Sequence, residues 1–151
     1  MTSKERVLQR ERQRGYEAAK LLQSNADNMS GTELNASDDR IPGFTAACLR
    51  QNMLQRPVGF VCVSGEGRVV RLLHPYDSSI YTNEPEDLPS LWAFQWSTDP
   101  AKARPFIARS TYTYNTGECC TYDGKVWRSG QDGNVWAPGT VGVKWEEVES
   151  G

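Results

Sequence analysis

The pattern of apolar and polar positions divides the chain into a helical beginning and a strand-rich remainder. Residues 2–24 contain no proline, and Thr2 with Glu5 three positions later forms the signature of a capping box. From Arg56 onward the pattern changes to period two with frequent glycines, which is typical of short strands and turns. The sequence therefore predicts a mainly β fold preceded by an N-terminal α-helix.

The predicted helix is dominated by charged residues in its first half and carries a denser apolar face in its second half. Such a helix gains little stability alone in water and needs a surface to lie on. Two interpretations stay open: the helix packs on its own domain, or it docks on another protein or a second copy of the chain. The candidate assembly residues are Val7, Leu8, Tyr16, Leu21 and Leu22.

The segment after the helix, residues 23–39, is rich in Ser, Asn, Asp, Thr and Gly, with Met29 and Leu34 as its sizeable apolar residues. This composition predicts a linker or an irregular wrapped segment. Residues 45–54 are compatible with a short helix. We therefore assign residues 1–55 to an attachment arm.

The strand-rich part contains an internal repeat, with a first β-module at residues 56–108 and a second at residues 109–151. Each copy has a leading glycine, a hairpin glycine, a loop proline and a closing tryptophan: Gly59, Gly67, Pro85 and Trp92, then Gly117, Gly124, Pro138 and Trp145. This order predicts a hairpin, a proline-containing loop and a final strand that begins at the tryptophan. Because modules this small bury little aliphatic surface, we expect Trp92 and Trp145 to form structural core.

Large rings alternate at Trp92, Phe94 and Trp96, so they project to one face if this stretch is a strand. That face is either covered by the second module, which makes one continuous core, or it is an assembly surface. The connection between the modules, residues 99–105, is short and favours a covered face.

Composition and charge exclude several classes of function. The chain has 151 residues, and 17 Lys and Arg against 19 Asp and Glu give a formal net charge of −2. A charge near zero gives no long-range attraction to phosphate backbones, so we expect no nucleic-acid partner. No apolar run reaches the length of a membrane span, and residues 1–14 lack the apolar stretch of a secretion signal. We therefore expect no membrane partner and synthesis in a reducing cytosol.

The candidates for metal binding and catalysis are few. Two of the four cysteines, Cys119 and Cys120, are adjacent, so on a strand they point to opposite faces and cannot jointly bind a metal ion as spaced pairs do. We expect free thiols, no metal and no cofactor. His74 is the single histidine, and no motif places it beside a nucleophile or a carboxylate. We expect no catalytic residue and no enzymatic activity.

The second module contains Gly124-Lys-Val-Trp127, then Asn134-Val-Trp136-Ala-Pro138, and a terminal Trp145. This order resembles the small carbohydrate-binding modules of families 5 and 12, the chitin-binding type. Most of residues 18–148 also resembles bacteriophage tail-associated proteins, often labelled carbohydrate-binding, from phages and prophages of Gram-positive bacteria. The matching stretches include Met29-Ser-Gly-Thr-Glu-Leu34, Pro57-Val-Gly59, Leu73-His-Pro75 and Cys119-Cys120.

The resemblance implies a non-enzymatic virion protein of the tail tip, baseplate or fibre region, built from two degenerate β-hairpin modules. The partners it implies are other virion proteins and further copies of the chain. A host cell-wall glycan is an additional expected ligand. The alternatives are a host-surface adhesin that binds polysaccharide, or an accessory carbohydrate-binding domain of a glycan hydrolase.

Candidate sugar-binding residues follow from the way carbohydrate modules lay flat aromatic faces against pyranose rings. They are the rings of Tyr122, Trp127 and Trp136, with Gln131 and Asn134 as polar partners. For the rings, the alternative is burial in a core that has few other large side chains. For Asn134 the alternative is a side-chain bond to the backbone that shapes its loop.

Overall fold

The computed structural model describes residues 2–149. Within that range the α-helices are Ser3–Asn25 (α1), Gly31–Ala36 (α2) and Phe44–Arg50 (α3). The strands are Val61–Val63 (β1), Val69–Leu72 (β2), Trp92–Gln95 (β3), Arg104–Pro105 (β4), Cys119–Tyr122 (β5), Lys125–Ser129 (β6) and Trp145–Val148 (β7). Short 3-10 turns join several of these elements.

The strands form two small sheets. The first has the order β1-β2-β3 and is antiparallel throughout. The second has the order β4-β5-β6-β7, in which β4 pairs parallel to β5 and the other pairs are antiparallel. The N-terminal helix and the two sheets agree with the sequence prediction, but the chain is mixed α/β rather than mainly β, because residues 26–50 are largely helical.

Helix α1 begins at the predicted capping box. The Glu5 amide donates to Thr2 Oγ1 at 3.2 Å, and the Thr2 amide donates to Glu5 Oε2 at 3.0 Å. The other end of the helix is fixed to the first sheet by Gln23, whose Nε2 donates to the Val61 carbonyl at 2.8 Å and whose Oε1 accepts from the Val61 amide at 3.0 Å. These bonds attach the last turns of α1 to β1.

Helix α2 lies in the segment that the sequence predicted as irregular. A second capping box, between Ser30 and Glu33, starts it. Asn35 is fully buried, and its Nδ2 donates to the carbonyls of Gly31 and Gln95 at 2.8 Å each. The segment therefore wraps around the first sheet, as predicted, but it does so as a short helix.

The two modules repeat the same backbone pattern at their leading glycines. The Gly59 amide donates to the Leu72 carbonyl at 2.8 Å, and the Gly117 amide donates to the Ser129 carbonyl at 2.8 Å. Both glycines have φ of +94°, a conformation that side chains with a Cβ rarely adopt. The leading glycine thus has the same function in each copy, since it starts the hairpin with a left-handed turn.

The closing tryptophans occupy matching positions as well. Strand β3 begins at Trp92, which pairs with Leu72, and strand β7 begins at Trp145, which pairs with Ser129. Each copy is therefore a hairpin followed by a third antiparallel strand that starts at a tryptophan, as the repeat predicts.

One hydrophobic cluster, which we call the main core, runs through both modules. Trp92, Phe94 and Trp96 are at most 5% exposed, so their face is covered, as expected. Trp96 stacks on Tyr114 with ring centroids 4.4 Å apart, and Tyr114 stacks on Phe106 at 5.5 Å. This stack carries the core from the first sheet into the second.

The predicted boundaries at residues 55 and 108 do not separate independently packed units. The side chains of Phe44, Ala47 and Met53 belong to the main core, because α3 and the turn after it cover one edge of the first sheet. Strand β4, at residues 104–105, pairs with the second sheet although it precedes residue 108. The structure thus joins the C-terminal part of the predicted arm and both modules around one core.

A buried arginine also ties the modules together. Arg68 is 4% exposed, and its Nε and Nη2 donate to the Pro105 carbonyl at 3.0 and 2.8 Å. Its Nη1 lies 2.7 Å from Glu86 Oε2, which also accepts from Ser64 Oγ at 2.7 Å. Because a buried charge needs partners of this kind, Arg68 fixes the hairpin of the first sheet against β4 of the second sheet.

Candidate functional site

Two surfaces carry the residues singled out from the sequence. The first, which we call the aromatic rim, consists of Tyr122 and Trp127, which are joined by a hydrogen bond of 3.1 Å, together with Trp136 on the loop between β6 and β7. The second, which we call the projecting half-helix, consists of residues 3–17 of α1, all of which are exposed. The two surfaces offer different chemistry, since one presents aromatic rings and the other presents a charged helix.

Tyr122 stands at the tip of the second hairpin. The turn that follows it, Asp123-Gly124, has φ of +52° and +74°, which is typical of a tight turn with an Asp-Gly sequence. The Tyr122 ring is 42% exposed and meets the Phe106 ring edge-on with centroids 5.9 Å apart. Trp127 is half-buried, and its Nε1 donates to the Tyr122 carbonyl at 3.1 Å.

Trp136 lies in the loop between β6 and β7 and is 48% exposed. Its amide donates to Asn134 Oδ1 at 3.2 Å, and its carbonyl accepts from Trp145 Nε1 at 2.8 Å. Hydrogen bonds on both sides of its backbone therefore hold the residue in place while its ring faces solvent. Among the predicted sugar-binding rings, Trp136 and Tyr122 are the exposed ones, and Trp127 belongs partly to the core.

The two predicted polar partners are used inside the loop. Asn134 is fully buried, and its Nδ2 donates to Ser129 Oγ at 3.2 Å while its Oδ1 accepts from Trp136. It shapes the loop and cannot reach a ligand, so its assignment as a sugar contact is wrong. Gln131 is half-buried, and its Oε1 accepts from the Lys144 amide at 2.9 Å.

The two closing tryptophans are buried to different degrees. Trp92 is fully buried, and its Nε1 donates to Tyr76 Oη at 3.1 Å. Trp145 is half-buried and meets the rings of Phe106 and Tyr114 edge-on. Both contribute to the main core, but Trp145 also forms the base under the loop that carries Trp136.

The candidate assembly residues of α1 separate into two groups. Val7, Leu8, Tyr16 and Leu21 are between 42% and 64% exposed. Leu22 is 6% exposed and packs with Ala26, Leu34, Ile41, Val61 and Val69 in a second core on the outer face of the first sheet. Its assignment to an assembly surface is therefore wrong, because α2 and the first sheet already cover it.

The buried cysteine thiols within residues 2–149 are not activated as nucleophiles. Burial raises the pKa of the Cys62, Cys119 and Cys120 thiols, and that of Cys120 reaches about 12, so they stay protonated near neutral pH. All four cysteines are free. Within residues 2–149, no group of three His, Cys, Asp or Glu side chains could hold a metal ion, and no helix is long and apolar enough to cross a membrane.

Comparison with known proteins adds no assignment: no family model, no curated protein and no solved structure matches the chain. The aromatic rim and the projecting half-helix are therefore the two candidate sites. Sequence reasoning identified the rings of the aromatic rim and the exposed residues of α1. It missed Gln23 and Arg68, which fix α1 and β4 to the first module. The capping box at Ser30 was the signal that could have located α2.

Proposed function

We propose that this protein is a non-enzymatic structural component of a phage tail that attaches to its neighbours through the projecting half-helix. The observation that supports attachment is the solvent exposure of every residue from 3 to 17 in a continuous, capped helix. A polar helix of this length is marginal in water without a packing partner. The half-helix therefore has the properties of a segment that binds a neighbour.

Val7 and Leu8 of the half-helix lie on either side of the direction that Leu22 takes around the helix axis. At about 100° per residue, Val7 and Leu8 lie within about 60° of Leu22 around the helix axis. Leu22 is buried against the first sheet, whereas Val7 and Leu8 are 49% and 42% exposed because α1 extends past the sheet. The stripe that packs on the protein's own body thus continues onto a part of the helix that the body does not cover.

The assignment to a phage tail is supported by the resemblance of residues 18–148 to tail-associated proteins. To test the assignment, particles are purified from the phage whose genome encodes this chain. The amount of the chain in them is then measured with an antibody against it. We expect the chain in intact particles, in a fixed ratio to the major tail protein. Particles that lack the chain would contradict the proposal.

The attachment surface is tested by changing Val7 and Leu8 together to Ser in that phage. We expect the variant protein to be made and folded but lost from particles, because Val7 and Leu8 are the two aliphatic side chains of the half-helix. Gln9→Ser is the matched control, since Gln9 is an exposed residue of the same half-helix but lies about 140° away from Leu22 around the helix axis. Equal incorporation of both variants would exclude the stripe as the attachment surface.

Glycan binding is a second candidate function, favoured by the exposure of Trp136 and Tyr122 on fixed backbone. Its test is retention of the protein on insoluble host cell wall and on chitin. If the aromatic rim binds sugar, Trp136→Ala abolishes retention, whereas Val141→Ala, which alters a 99% exposed residue of the same loop, leaves it unchanged. No retention of the unmodified protein on either material would remove this candidate.

A further inference from the structure

A groove of about 720 Å³ runs between the second half of α1 and the body of the protein. Its walls are formed by residues 15–23 of α1 on one side and by residues 39–42 and 56–60 on the other. Apolar side chains line it, among them Ala18, Ala19, Ile41, Val58 and Phe60. The groove lies next to the half-helix and opens to solvent, since Val58 is 63% exposed.

The charges around the groove are unbalanced. The lining includes four cationic side chains and two carboxylates: Lys20, Arg40, Arg50 and Arg56, with Asp27 and Asp39. The carboxylate of Asp27 already pairs with Arg71 at 3.0 Å. Within residues 2–149, Lys20, Arg40 and Arg50 form no ion pair, so their charges are free to meet a ligand.

One of the cations is held as part of the wall. The Arg56 guanidinium lies 4.4 Å from the centroid of the Phe60 ring, and its Nη2 donates to the Ala47 carbonyl at 3.0 Å. Arg56 therefore presents a fixed positive charge directly beside an apolar surface. A ligand that matches this wall needs a negative group next to an apolar one.

We propose that the groove binds an acidic amphipathic segment of a neighbouring protein. The apolar lining would cover the apolar side chains of that segment, and Lys20, Arg40 and Arg50 would meet its carboxylates. This inference rests on the proposed function as an attachment protein, and it names the chemistry of one partner. The mixture of apolar lining and cations favours a peptide over a nucleic acid. A nucleic acid would need a longer row of Lys and Arg side chains to contact its phosphates.

The half-helix of a second copy does not match the charge of the groove. Residues 3–17 of α1 carry Lys4, Arg6, Arg10, Arg12 and Arg14 against Glu5, Glu11 and Glu17, so the half-helix has the same sign of charge as the groove. On this charge argument we take the occupant to be a segment of a different protein.

The test measures binding of synthetic peptides to the full chain by fluorescence anisotropy. The probe is a labelled peptide of about 15 residues with leucines at helical i, i+3, i+4 and i+7 spacing and glutamates elsewhere. One comparison peptide has lysines in place of the glutamates, and another has the acidic composition in scrambled order. We expect the acidic amphipathic peptide to bind at least about tenfold more tightly than either comparison peptide.

Variants of the exposed groove residues locate the site. Arg40→Glu with Arg50→Glu is expected to weaken binding of the acidic peptide at least about tenfold, and Val58→Asp is expected to weaken it as well. Lys144→Glu, a charge reversal at an exposed residue next to β7, is the matched control and leaves binding unchanged. Circular dichroism of each variant verifies that the fold is retained.

Several results would overturn the proposal. They are equal affinity for the acidic and lysine peptides, equal affinity for the scrambled peptide, no effect of the double reversal, and tighter binding of a single-stranded oligonucleotide. Because the assay uses the isolated chain, these failures are independent of the particle experiments. A loss of incorporation in the Val7 and Leu8 variant would still support attachment through the half-helix if the groove bound nothing.

Discussion

The two β-modules share a strand register but differ in the number of faces they bury. In the first sheet, Cys62, Val70 and Leu72 face the main core, while Val61 and Val69 face the second core. In the second sheet, Cys120, Trp127 and Trp145 face the main core, and most residues of the opposite face are partly or fully exposed. The first module is thus enclosed between two layers, and the second is covered on one side.

This difference determines which surfaces of each module are accessible to solvent. The segment from Leu22 to Ile41 covers the outer face of the first module, and Arg71 bonds to it through Asp27 at 3.0 Å. A covered sheet has no free surface for a ligand, so the first module serves as a base for α1. The outer face of the second module is partly or fully exposed at most positions. Its exposed rings lie elsewhere: Tyr122 is at the hairpin tip on the same face as Cys120, and Trp136 is on the loop between β6 and β7.

The two modules are expected to differ most in the free energy of unfolding that is lost when the closing tryptophan is removed. Trp92→Ala removes a fully buried ring and is expected to lower the free energy of unfolding by about 3–5 kcal/mol. Trp145→Ala removes a half-buried ring and is expected to cost about 1–2 kcal/mol. Urea unfolding of both variants measures the two losses in the free energy of unfolding. Equal losses would mean that the second module is as enclosed as the first.

A smaller difference in lost stability is expected between two equivalent valines on the outer faces of the sheets. Val69 is fully buried in the second core, whereas Val126 is partly exposed on the open face. Val69→Ala is expected to cost about 2–3 kcal/mol from two lost methyl groups and a cavity, and Val126→Ala less than about 1 kcal/mol. Thermal and urea unfolding give both values. A large loss at Val126 would contradict an open outer face in the second sheet.

The parts of the fold that sequence predicts well have local causes. The capping box of Thr2 and Glu5 marks the start of α1 because it depends on residues three positions apart. The repeat places β3 and β7 at Trp92 and Trp145 because glycine and aromatic positions set the hairpins within each copy. Composition did not reveal α2, since it buries few apolar side chains and depends on contacts to the first sheet.

The parts that sequence did not predict depend on contacts between distant segments. The arm of residues 1–55 joins the body through Gln23 to Val61 and through Asn35 to Gln95, pairs that no local pattern indicates. The exposure of the candidate rings could not be predicted from the sequence either, because Trp127 and Trp136 are flanked by similar residues. The structure distinguishes them, since Trp127 faces the main core and Trp136 stands on a loop outside it.

The asparagines before the loop prolines offer a third comparison of the modules. Asn134 is buried and bonds to Ser129 and Trp136, whereas Asn83 is exposed. Asn134→Ala is expected to lower the free energy of unfolding by about 1–2 kcal/mol, because a buried amide and its partners lose their hydrogen bonds. Asn83→Ala is expected to leave the urea midpoint unchanged. A comparable loss at Asn83 would show that this asparagine also has a structural function.

The smallest expected effect concerns the half-helix itself. A chain that starts at Gly15 retains Leu22 in the second core and both hydrogen bonds of Gln23 to Val61, so its urea midpoint is expected to equal that of the full chain. Gln23→Ala in the full chain is expected to lower the midpoint, because the backbone of Val61 loses its partner. Hydrogen exchange gives an independent measure, with fast exchange expected for residues 3–17 and slower exchange for residues 18–25. A truncated chain that unfolds at lower urea would mean that the half-helix packs on the isolated body, and attachment through this surface would then require its release.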